Sequence, residues 1–283
     1  MKALVCKEFG DPDILVMEDI AEPEVKEGMV KIEVHSVGLN FPDTLMIAGG
    51  FAEYVLAPED STYKIPDNMP FDQAAGFPVT YGTTYHALVD RGNLKPGEVL
   101  LVHGAAGGVG LNAVELGKAL GATVIGTVGS DEKIDIVKQY GAEHVINYSK
   151  ESIRDRVKEL TDGKGADVIY DPVGGDAFDQ SMRCINWDGR LLVIGFASGR
   201  IAELKTNLVL LKGCSVIGVF WGDFARRTPE KNRANFQAML DMVEEGKIKP
   251  HVSMHFPLEQ GADAMKALLS RKSTGKIIIT VKE

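Results

Sequence analysis

The chain has 283 residues, a hydrophobic fraction of 45%, a charged fraction of 25% and a formal net charge of −9. This composition is ordinary for a globular protein with a buried core, and the acidic balance argues against nucleic acid as a partner, because phosphate binding needs a concentrated basic surface. An early acidic residue argues against a signal peptide and no apolar run approaches the ~20 residues that span a bilayer, so we expect a cytoplasmic protein without a membrane partner.

Up to Pro70 the sequence alternates short apolar runs with turn residues, which predicts a small antiparallel β unit. The predicted strands are Ala3–Cys6, Leu15–Glu18, Val30–Val37 and Phe51–Ala57. Two separate helical segments are predicted next, Phe71–Ala75 and Thr83–Arg91.

From Pro96 onward, apolar strands and helices alternate, which predicts a parallel sheet covered on both faces. The predicted strands are Val99–His103, Thr123–Val128, His144–Ile146, Asp167–Tyr170, Arg190–Ile194 and Cys214–Phe220. The tail is expected to contain a helix, a strand, a second helix and a last strand, at Arg233–Glu245, His251–His255, Ala262–Ser270 and Ile277–Val281. We expect the last strand to rejoin the N-terminal β unit. The predicted domains are therefore 1–80 with 247–283, for the substrate, and 81–246, for a dinucleotide.

A glycine-rich turn directly follows the strand Val99–His103 and opens a helix. Such a turn lets a pyrophosphate approach bare backbone amides at a helix N-terminus, where the helix dipole is positive. A purely structural strand-to-helix turn could have similar glycines, but the strand before it and the βα units after it favour dinucleotide binding. The predicted contacts are Gly104, Ala106, Gly107, Gly108, Val109 and Gly110.

The end of the second strand bears on which dinucleotide binds. An NAD site usually has Asp or Glu there, for the ribose hydroxyls, whereas this chain has Gly129-Ser130. Ser130 could simply cap the next helix. Lys133 lies one turn further, within reach of a 2′-phosphate, while Asp131 and Glu132 would argue for NADH if they point into the site. These residues favour NADPH over NADH.

Several segments resemble the zinc-independent quinone oxidoreductases of the medium-chain dehydrogenase/reductase superfamily. They are GLNFPDTLM (38–46), AAGFPVTYGTTYHAL (74–88), HGAAGGVG (103–110), VINY (145–148), DPVGGD (171–176), GFASG (195–199) and SRKSTGK (270–276). The fold implied by the resemblance is α/β, with a doubly wound Rossmann sheet and a truncated GroES-like β-barrel domain.

The resemblance also implies roles for individual residues. It places Gly129, Ser130, Lys133, Tyr148 and Arg271 around the 2′-phosphate and adenine ribose of NADPH, and Asn40, Thr83, Gly195, Phe196, Ser198, Phe220 and Trp221 near the nicotinamide or the substrate. Other roles stay open. Tyr148 could cap a strand, Arg271 could pair with any carboxylate, and the aromatic pair at 220 and 221 could pack in a dimer.

The chain departs from this family between Gly49 and Gly50. Relatives of this kind have roughly 45 further residues there, which complete the barrel. Removing barrel strands leaves unpaired edge amides and apolar side chains facing water. We therefore expect a smaller, more open substrate domain.

The chemistry implied is hydride transfer to a quinone or to the β-carbon of an α,β-unsaturated carbonyl, where negative charge develops on oxygen and needs a hydrogen-bond donor. Asn40 and Thr83 are the candidate donors, and Tyr54 is a weaker one. No metal is expected, because the histidines lack a cysteine or carboxylate cluster and the cysteines form no C-x-x-C pair.

Two alternatives to an NADPH-dependent quinone or enone reductase remain open. One is an enoyl-thioester reductase, with Arg226, Arg227, Lys231 and Arg233 as a basic patch for acyl-CoA phosphates. The other is a non-catalytic NADPH-binding sensor or scaffold, which the shortened substrate domain would suit. We also expect a homodimer, since the apolar segment 214–221 is predicted at a sheet edge.

Overall fold

The computed structural model describes residues 1–8, 10–44 and 51–282. The strands, in chain order, are β1 (Lys2–Val5), β2 (Val16–Asp19), β3 (Met29–Glu33), β4 (Ser36–Gly38), β5 (Tyr54–Pro58), β6 (Val99–Val102), β7 (Thr123–Val128), β8 (His144–Asn147), β9 (Ala166–Asp171), β10 (Ile185–Val193), β11 (Ser215–Gly218), β12 (Val252–Pro257) and β13 (Lys276–Thr280). The helices are α1 (Phe71–Tyr85), α2 (Gly108–Ala119), α3 (Ile134–Gln139), α4 (Ile153–Leu160), α5 (Gly175–Cys184), α6 (Thr206–Lys212), α7 (Trp221–Arg227), α8 (Pro229–Glu244) and α9 (Gly261–Leu269).

These elements form two compact units, Thr80–Met239 and Met1–Val79 with Leu240–Glu283. The larger unit contains a six-stranded sheet in the order β11-β10-β9-β6-β7-β8. All of its strand pairs are parallel. The order places the third strand at one edge and the sixth at the other, with the first and fourth in the middle, which is the doubly wound Rossmann arrangement.

The centre of this sheet is buried because its strands are continuously apolar. Leu100, Leu101 and Val102 of β6 are fully buried. Leu101 belongs to a core cluster with Ile125 and Ile169 from two other strands of the sheet. A sheet covered on both faces holds its carboxyl edge fixed, and that edge is where ligands bind in this fold.

α1 is one continuous helix that contains the predicted stretch Phe71–Ala75 and the start of Thr83–Arg91, and it also covers the residues between them. A π-helical turn, His86–Arg91, follows it directly. Two hydrogen bonds to α2 hold its second half: Asn112 Nδ2 donates to Thr80 Oγ1 at 2.7 Å, and the Tyr81 hydroxyl donates to Glu115 at 2.5 Å. Such tertiary contacts override the weak local preference of a glycine- and proline-containing segment.

Two strands were predicted to be longer than they are in the structure. The segment predicted as the single strand Val30–Val37 forms β3 and β4, which belong to different sheets. The sixth Rossmann strand ends at Gly218 rather than at Phe220, and α7 begins at Trp221. Its predicted position at the sheet edge is confirmed.

The smaller unit contains three small sheets: β1-β2, β3-β5 and β12-β13-β4. β13 pairs antiparallel with β4, so the end of the chain rejoins the N-terminal part, as the sequence predicts. The core includes Leu39, Met265, Ile277 and Ile279, from a loop, α9 and β13. This set of separate small sheets is the shortened GroES-like domain, and the α/β fold class is confirmed.

None of the helices in the described part of the chain combines the length and apolar character that crossing a bilayer requires.

Candidate cofactor-binding site

The glycine-rich turn lies between β6 and α2, where the sheet's carboxyl edge meets a helix N-terminus. Gly104 has φ +58°, in the left-handed region that favours glycine. The Gly107 amide donates to the Gly104 carbonyl at 2.9 Å, which closes the turn. A Cβ on Gly110 would lie 2.1 Å from the Gly104 oxygen, so only glycine fits there. The backbone approach on which the prediction depended is therefore present.

The first amides of α2 are available to an anion. Gly107 is the N-cap residue and has no side chain with which to accept a hydrogen bond from them. The first N–H groups of a helix have no intrahelical carbonyl partner, and the helix dipole makes this end positive. The turn thus has the donor set and the close approach that a pyrophosphate requires.

His103, directly before the turn, is a buried structural residue. Its Nδ1 lies 3.1 Å from Thr127 Oγ1 and its Nε2 lies 2.7 Å from Ser181 Oγ. Burial lowers the pKa of His103, which favours the neutral imidazole. These two contacts tie β6 to β7 and α5, and so fix the base of the turn.

Gly129, Ser130 and Tyr148 are brought together at the ends of β7 and β8. Tyr148 lies against Gly129, because a Cβ on Gly129 would be only 2.6 Å from the Tyr148 hydroxyl. Ser149 Oγ donates to the Gly129 carbonyl at 2.8 Å. Ser130 occupies the N-cap position of the next turn, but its side chain makes no capping hydrogen bond to the described residues. Its hydroxyl therefore does not have the capping role that was the alternative reading.

The two charged residues beside this group, Asp131 and Lys133, have different environments. The Asp131 carboxylate accepts a hydrogen bond from Asn147 Nδ2 at 2.6 Å and pairs with Lys150. The Lys150 and Asn147 hydrogen bonds lower the pKa of Asp131, so it is ionised and already partnered at neutral pH. Lys133 is half-buried, and the burial lowers its pKa.

The segment with Gly195, Phe196 and Ser198 follows β10 and is held against the end of β9. Ala197 N donates to the Pro172 carbonyl and Ser198 N to the Val173 carbonyl, both at 3.0 Å. Phe196 is exposed.

Asp171 is a positioning residue that the sequence analysis did not single out. It is buried at the end of β9, and its carboxylate accepts hydrogen bonds from the amides of Val173 and Gly174, both at 2.9 Å. Its carbonyl accepts from Ile194 N at 2.9 Å. The signal available was the DPVGG run itself, in which an acidic residue at a strand end precedes a turn.

Phe220 and Trp221 have different environments, although they are adjacent. Phe220 is 76% exposed. Trp221 begins α7, its Nε1 donates to Asn232 Oδ1 at 2.9 Å, and its ring lies so close to Gly82 that a Cβ there would be 2.7 Å from Cε2. Trp221 is thus a packing residue with part of its ring accessible, while Phe220 is free to contact a ligand or another chain.

In the smaller unit, Asn40 lies in a tight hydrogen-bonded group. Its amide N donates to Asp43 at 2.6 Å, its Nδ2 donates to the Gly38 carbonyl at 3.0 Å, and its Oδ1 accepts from Lys276 Nζ at 2.7 Å. Lys276 also donates to the Leu39 carbonyl. Burial lowers the pKa of Lys276 to about 7, against the opposing effect of Asp43.

The other predicted residues are Tyr54, Arg271 and Thr83. The Tyr54 ring, on β5, lies under Lys31 Nζ at 5.0 Å. Arg271, just after α9, is exposed and has φ +58°. Thr83 is a half-buried residue of α1 in the larger unit.

The chain is similar to known dehydrogenases and oxidoreductases. Residues 108–245 match the family described as zinc-binding dehydrogenase. A quinone oxidoreductase-like protein 2 homolog of Nematostella vectensis is 36% identical over 329 aligned residues, covering 100% of this chain and 89% of that protein. A quinone oxidoreductase of Pseudomonas aeruginosa is 32% identical, covering 96% of this chain and 97% of the relative. The chain belongs to the quinone oxidoreductase family.

Solved structures agree with this assignment. The Escherichia coli quinone oxidoreductase, crystallised in complex with NADPH, superposes with a TM-score of 0.89 at 26% identity, covering 99% of this chain and 100% of that one. The resemblance to the medium-chain dehydrogenase/reductase superfamily is confirmed.

This quinone oxidoreductase family member is shorter than its relatives. The 329 aligned positions of the first relative exceed the 283 residues of this chain by about 46. That number matches the deletion inferred from the sequence. The deletion point, between Gly49 and Gly50, lies outside the described residues.

The family description mentions zinc, so potential metal ligands matter. Within residues 1–8, 10–44 and 51–282, no group of three or more His, Cys, Asp or Glu side chains could hold a metal ion. His255 instead pairs with Asp72 at 3.0 Å, and His251 Nε2 lies 3.1 Å from Thr274 Oγ1.

Proposed function

We propose that this oxidoreductase is an NADPH-dependent reductase that passes a hydride to a quinone or an α,β-unsaturated carbonyl without a metal. The observation that carries the proposal is the close contact of Gly110 with the Gly104 carbonyl, which leaves no room for a Cβ. Such close packing of the turn and its helix is typical of a site that binds a diphosphate. The likeness to the E. coli enzyme, whose structure was solved with NADPH, supports it.

The residues present fit a dinucleotide. In the proposal, the turn 104–110 holds the pyrophosphate through the first amides of α2, while Gly195, Phe196 and Ser198 line the nicotinamide end, with Phe220 and Trp221 near it. When bound, the reduced nicotinamide supplies the hydride.

The chain's own residues orient the acceptor and stabilise its oxygen. When hydride adds to the acceptor's β-carbon, the C=C electron pair forms a new double bond to the carbonyl carbon and the C=O pair moves to the oxygen. The resulting enolate oxygen is negative, and the enolate later takes a proton from water. In the proposal, Asn40 Nδ2 and the Thr83 hydroxyl donate hydrogen bonds to that oxygen. Tyr54 is the weaker candidate, since its ring lies beside Lys31.

NADPH is proposed over NADH because of the charges at the end of β7. Asp131 is already partnered by Asn147 and Lys150, so it does not offer a free acceptor to ribose hydroxyls. In the proposal, the Ser130 hydroxyl, which makes no capping hydrogen bond, and the positive charge of Lys133 contact the 2′-phosphate. Tyr148 and Arg271 complete the proposed 2′-phosphate and adenosine contacts.

No observation favours the acyl-CoA alternative. Arg226 and Arg227 both pair with Asp223, and Lys231 pairs with Asp90 at 2.7 Å. The predicted basic patch is therefore compensated by carboxylates of the same unit.

One experiment tests the proposed function. NADPH binding is followed by cofactor fluorescence, and oxidation of the bound cofactor is then followed by absorbance after adding 1,4-benzoquinone, an enone or crotonyl-CoA. We expect binding, and turnover with the quinone or the enone. Binding without turnover on any acceptor would support the scaffold alternative, and preference for the thioester would support an enoyl-thioester reductase.

We also propose a homodimer formed along β11, which is an edge strand of the sheet. Large apolar side chains are exposed near it: Leu210 at 80% and Leu211 at 70% in α6, which precedes β11, and Trp187 at 69% on the neighbouring strand β10. The Trp187 ring lies against Gly213, where a Cβ would approach it to 2.9 Å, so these side chains form one patch beside the edge. Unpaired edges and apolar patches of this kind favour association with a second copy.

A further inference from the structure

Lys276 is a charged residue at the first position of a buried β-strand. It is 4% exposed, and its neighbours on β13, Ile277 and Ile278, are fully buried. Its stem is covered by α1, because a Cβ on Gly76 would lie 3.1 Å from Lys276 Cγ. Burying a lysine costs free energy unless its head group makes specific hydrogen bonds, so its two partners define its role.

The two acceptors of Lys276 Nζ are the Leu39 carbonyl and Asn40 Oδ1, the latter at 2.7 Å. An ammonium group has donors only, and a neutral lysine amine still has two N–H donors, one for each of these acceptors. The amide of Asn40 must therefore turn its oxygen toward Lys276 and its Nδ2 away from it. The Gly38 carbonyl, which accepts from Nδ2 at 3.0 Å, enforces the same orientation from the other side.

One Nδ2 hydrogen thus bonds to the Gly38 carbonyl, and Asn40 also makes a side-chain hydrogen bond to Asp43, which opposes the rise that burial causes in the pKa of Asp43. The donor side of the amide therefore faces the Gly38 carbonyl and the Asp43 carboxylate. A reversed amide would place Oδ1 against the Gly38 oxygen, which is repulsive. The backbone of Asn40 is held as well, since its N–H donates to Asp43 at 2.6 Å. The side chain is consequently fixed as a hydrogen-bond donor.

We infer that Lys276 is a positioning residue, which fixes the amide of Asn40 so that Nδ2 donates to the acceptor oxygen. The inference rests on the proposed function, in which Asn40 provides that donor. Lys276 itself does not contact the reacting atoms; it acts through Asn40.

The first readout needs no cofactor. In protein labelled with ¹⁵N-asparagine, the Nδ2 resonances of Asn40, assigned by their loss in Asn40→Ala, report the orientation of the amide. We expect Lys276→Met, which keeps the stem length and removes the donor, to speed exchange of these protons with solvent about tenfold or more. Ile279→Val on the same strand removes buried volume only and should leave the exchange rate unchanged. An unchanged rate in Lys276→Met would overturn the inference.

The second readout is the single-turnover rate with NADPH and 1,4-benzoquinone. Asn40→Ala should lower the rate by about 10²-fold, as expected for loss of one oxyanion donor. Lys276→Met should lower it by about tenfold or more through misplacement of that donor, with the NADPH Kd unchanged. The double variant should be no slower than Asn40→Ala. Additive losses, or a wild-type rate in Lys276→Met, would show that Lys276 does not act through Asn40.

A third variant tests the inference if Lys276→Met does not fold. Asn40→Asp keeps an acceptor for Lys276 but removes the Nδ2 donor. It should fold, lose the same turnover as Asn40→Ala, and raise the pKa of Lys276 measured by ¹³Cε NMR, because an anion then faces the ammonium. Asp43 is the charged group that acts on the pKa of Lys276. The elements packed against Lys276 also carry Asp72 and His255, which pair with each other, Tyr81 and Tyr85 on α1, and His251, whose carbonyl accepts from the Lys276 amide. An unchanged pKa of Lys276 would contradict the contact.

The outcomes separate the two proposals. A wild-type rate in Asn40→Ala would refute the donor role in the proposed function, while the exchange measurement would still judge the Lys276–Asn40 contact. A slow Asn40→Ala together with a fast Lys276→Met would refute only the role of Lys276.

Discussion

The Asp131 carboxylate is held 2.6 Å from Asn147 Nδ2, across the ends of two neighbouring strands of the Rossmann sheet. Lys150 pairs with the same carboxylate. An acidic residue next to Gly129-Ser130 would otherwise repel a 2′-phosphate. Because Asp131 is already partnered, we expect cofactor choice to depend on the positive charge of Lys133.

Replacing Lys133 by Ala should weaken NADPH binding by about 10- to 100-fold, the value of a charge-assisted hydrogen bond, and leave NADH binding nearly unchanged. The affinities can be measured by cofactor fluorescence at fixed ionic strength. Lys138→Ala, at an exposed lysine of α3, which begins directly after Lys133, is the matched control and should change neither affinity.

Asp131→Asn tests whether the partnered Asp131 carboxylate still affects cofactor binding. The asparagine removes a charge that is already compensated, so NADPH affinity should rise by less than about threefold. A large gain would mean that Asp131 faces the phosphate despite its partners, and an equal loss of both cofactors in Lys133→Ala would refute the 2′-phosphate assignment.

The cofactor turn could be predicted from the sequence because its determinants are local. The strand, the glycines and the helix follow one another within a few residues, and the geometry of Gly104 and Gly110 agrees with the motif. α7 could not be predicted in this way. Its first residue, Trp221, is fixed by contacts with Gly82 and Asn232, which are distant in the chain or in the next helix.

Lys276 shows the same limitation at the substrate side. In the sequence it lies in SRKSTGK, a polar run with the composition of a solvated turn. Only the pairing of β13 with β4 and the cover from Gly76 reveal that it is buried. Periodicity indicates which strands are apolar, but it does not show that a lysine at a strand end turns inward to Asn40.

Gly110→Ala should disrupt the cofactor turn. The new Cβ would lie 2.1 Å from the Gly104 carbonyl oxygen, so the backbone must shift. We expect a loss of about 1–3 kcal/mol in the free energy of unfolding from overpacking, and a loss of NADPH affinity of about tenfold or more.

Thermal denaturation and cofactor titration measure these two effects. Gly218→Ala is the control, since a Cβ there meets nothing within 4 Å. NADPH affinity close to wild type in a folded Gly110→Ala protein would contradict the assignment of the turn.

The burial of Lys276 should give the stability of the protein a characteristic pH dependence. Its pKa is lowered to about 7 in the folded protein, from an ordinary value of 10.5. Between these values the unfolded chain binds a proton that the folded chain does not, so the free energy of unfolding rises with pH. Conversely, Lys276 destabilises the fold most at and below pH 7.

Urea denaturation of wild type and Lys276→Met at pH 7.5 and 9 measures this effect. The wild type should gain stability relative to the variant by about 1.4 kcal/mol per pH unit at most. Burial raises the pKa of Asp43, and this carboxyl is present in both proteins. Parallel pH profiles would show that Lys276 keeps its ordinary pKa in the folded state.

The proposed dimer can be tested through the apolar patch beside β11. Leu210→Glu with Leu211→Glu places two charges on side chains that are 80% and 70% exposed in the single chain, so the fold should tolerate them. If β11 pairs with its counterpart in a second copy, the charges would be buried at that interface and would oppose association. We expect a dimer for the wild type and a monomer for the double variant by sedimentation velocity at micromolar concentration. Val25→Glu, on a side chain that is 62% exposed in the smaller unit, should remain dimeric. A wild-type monomer would refute the homodimer, and a double variant that still dimerises would place the interface on a different surface.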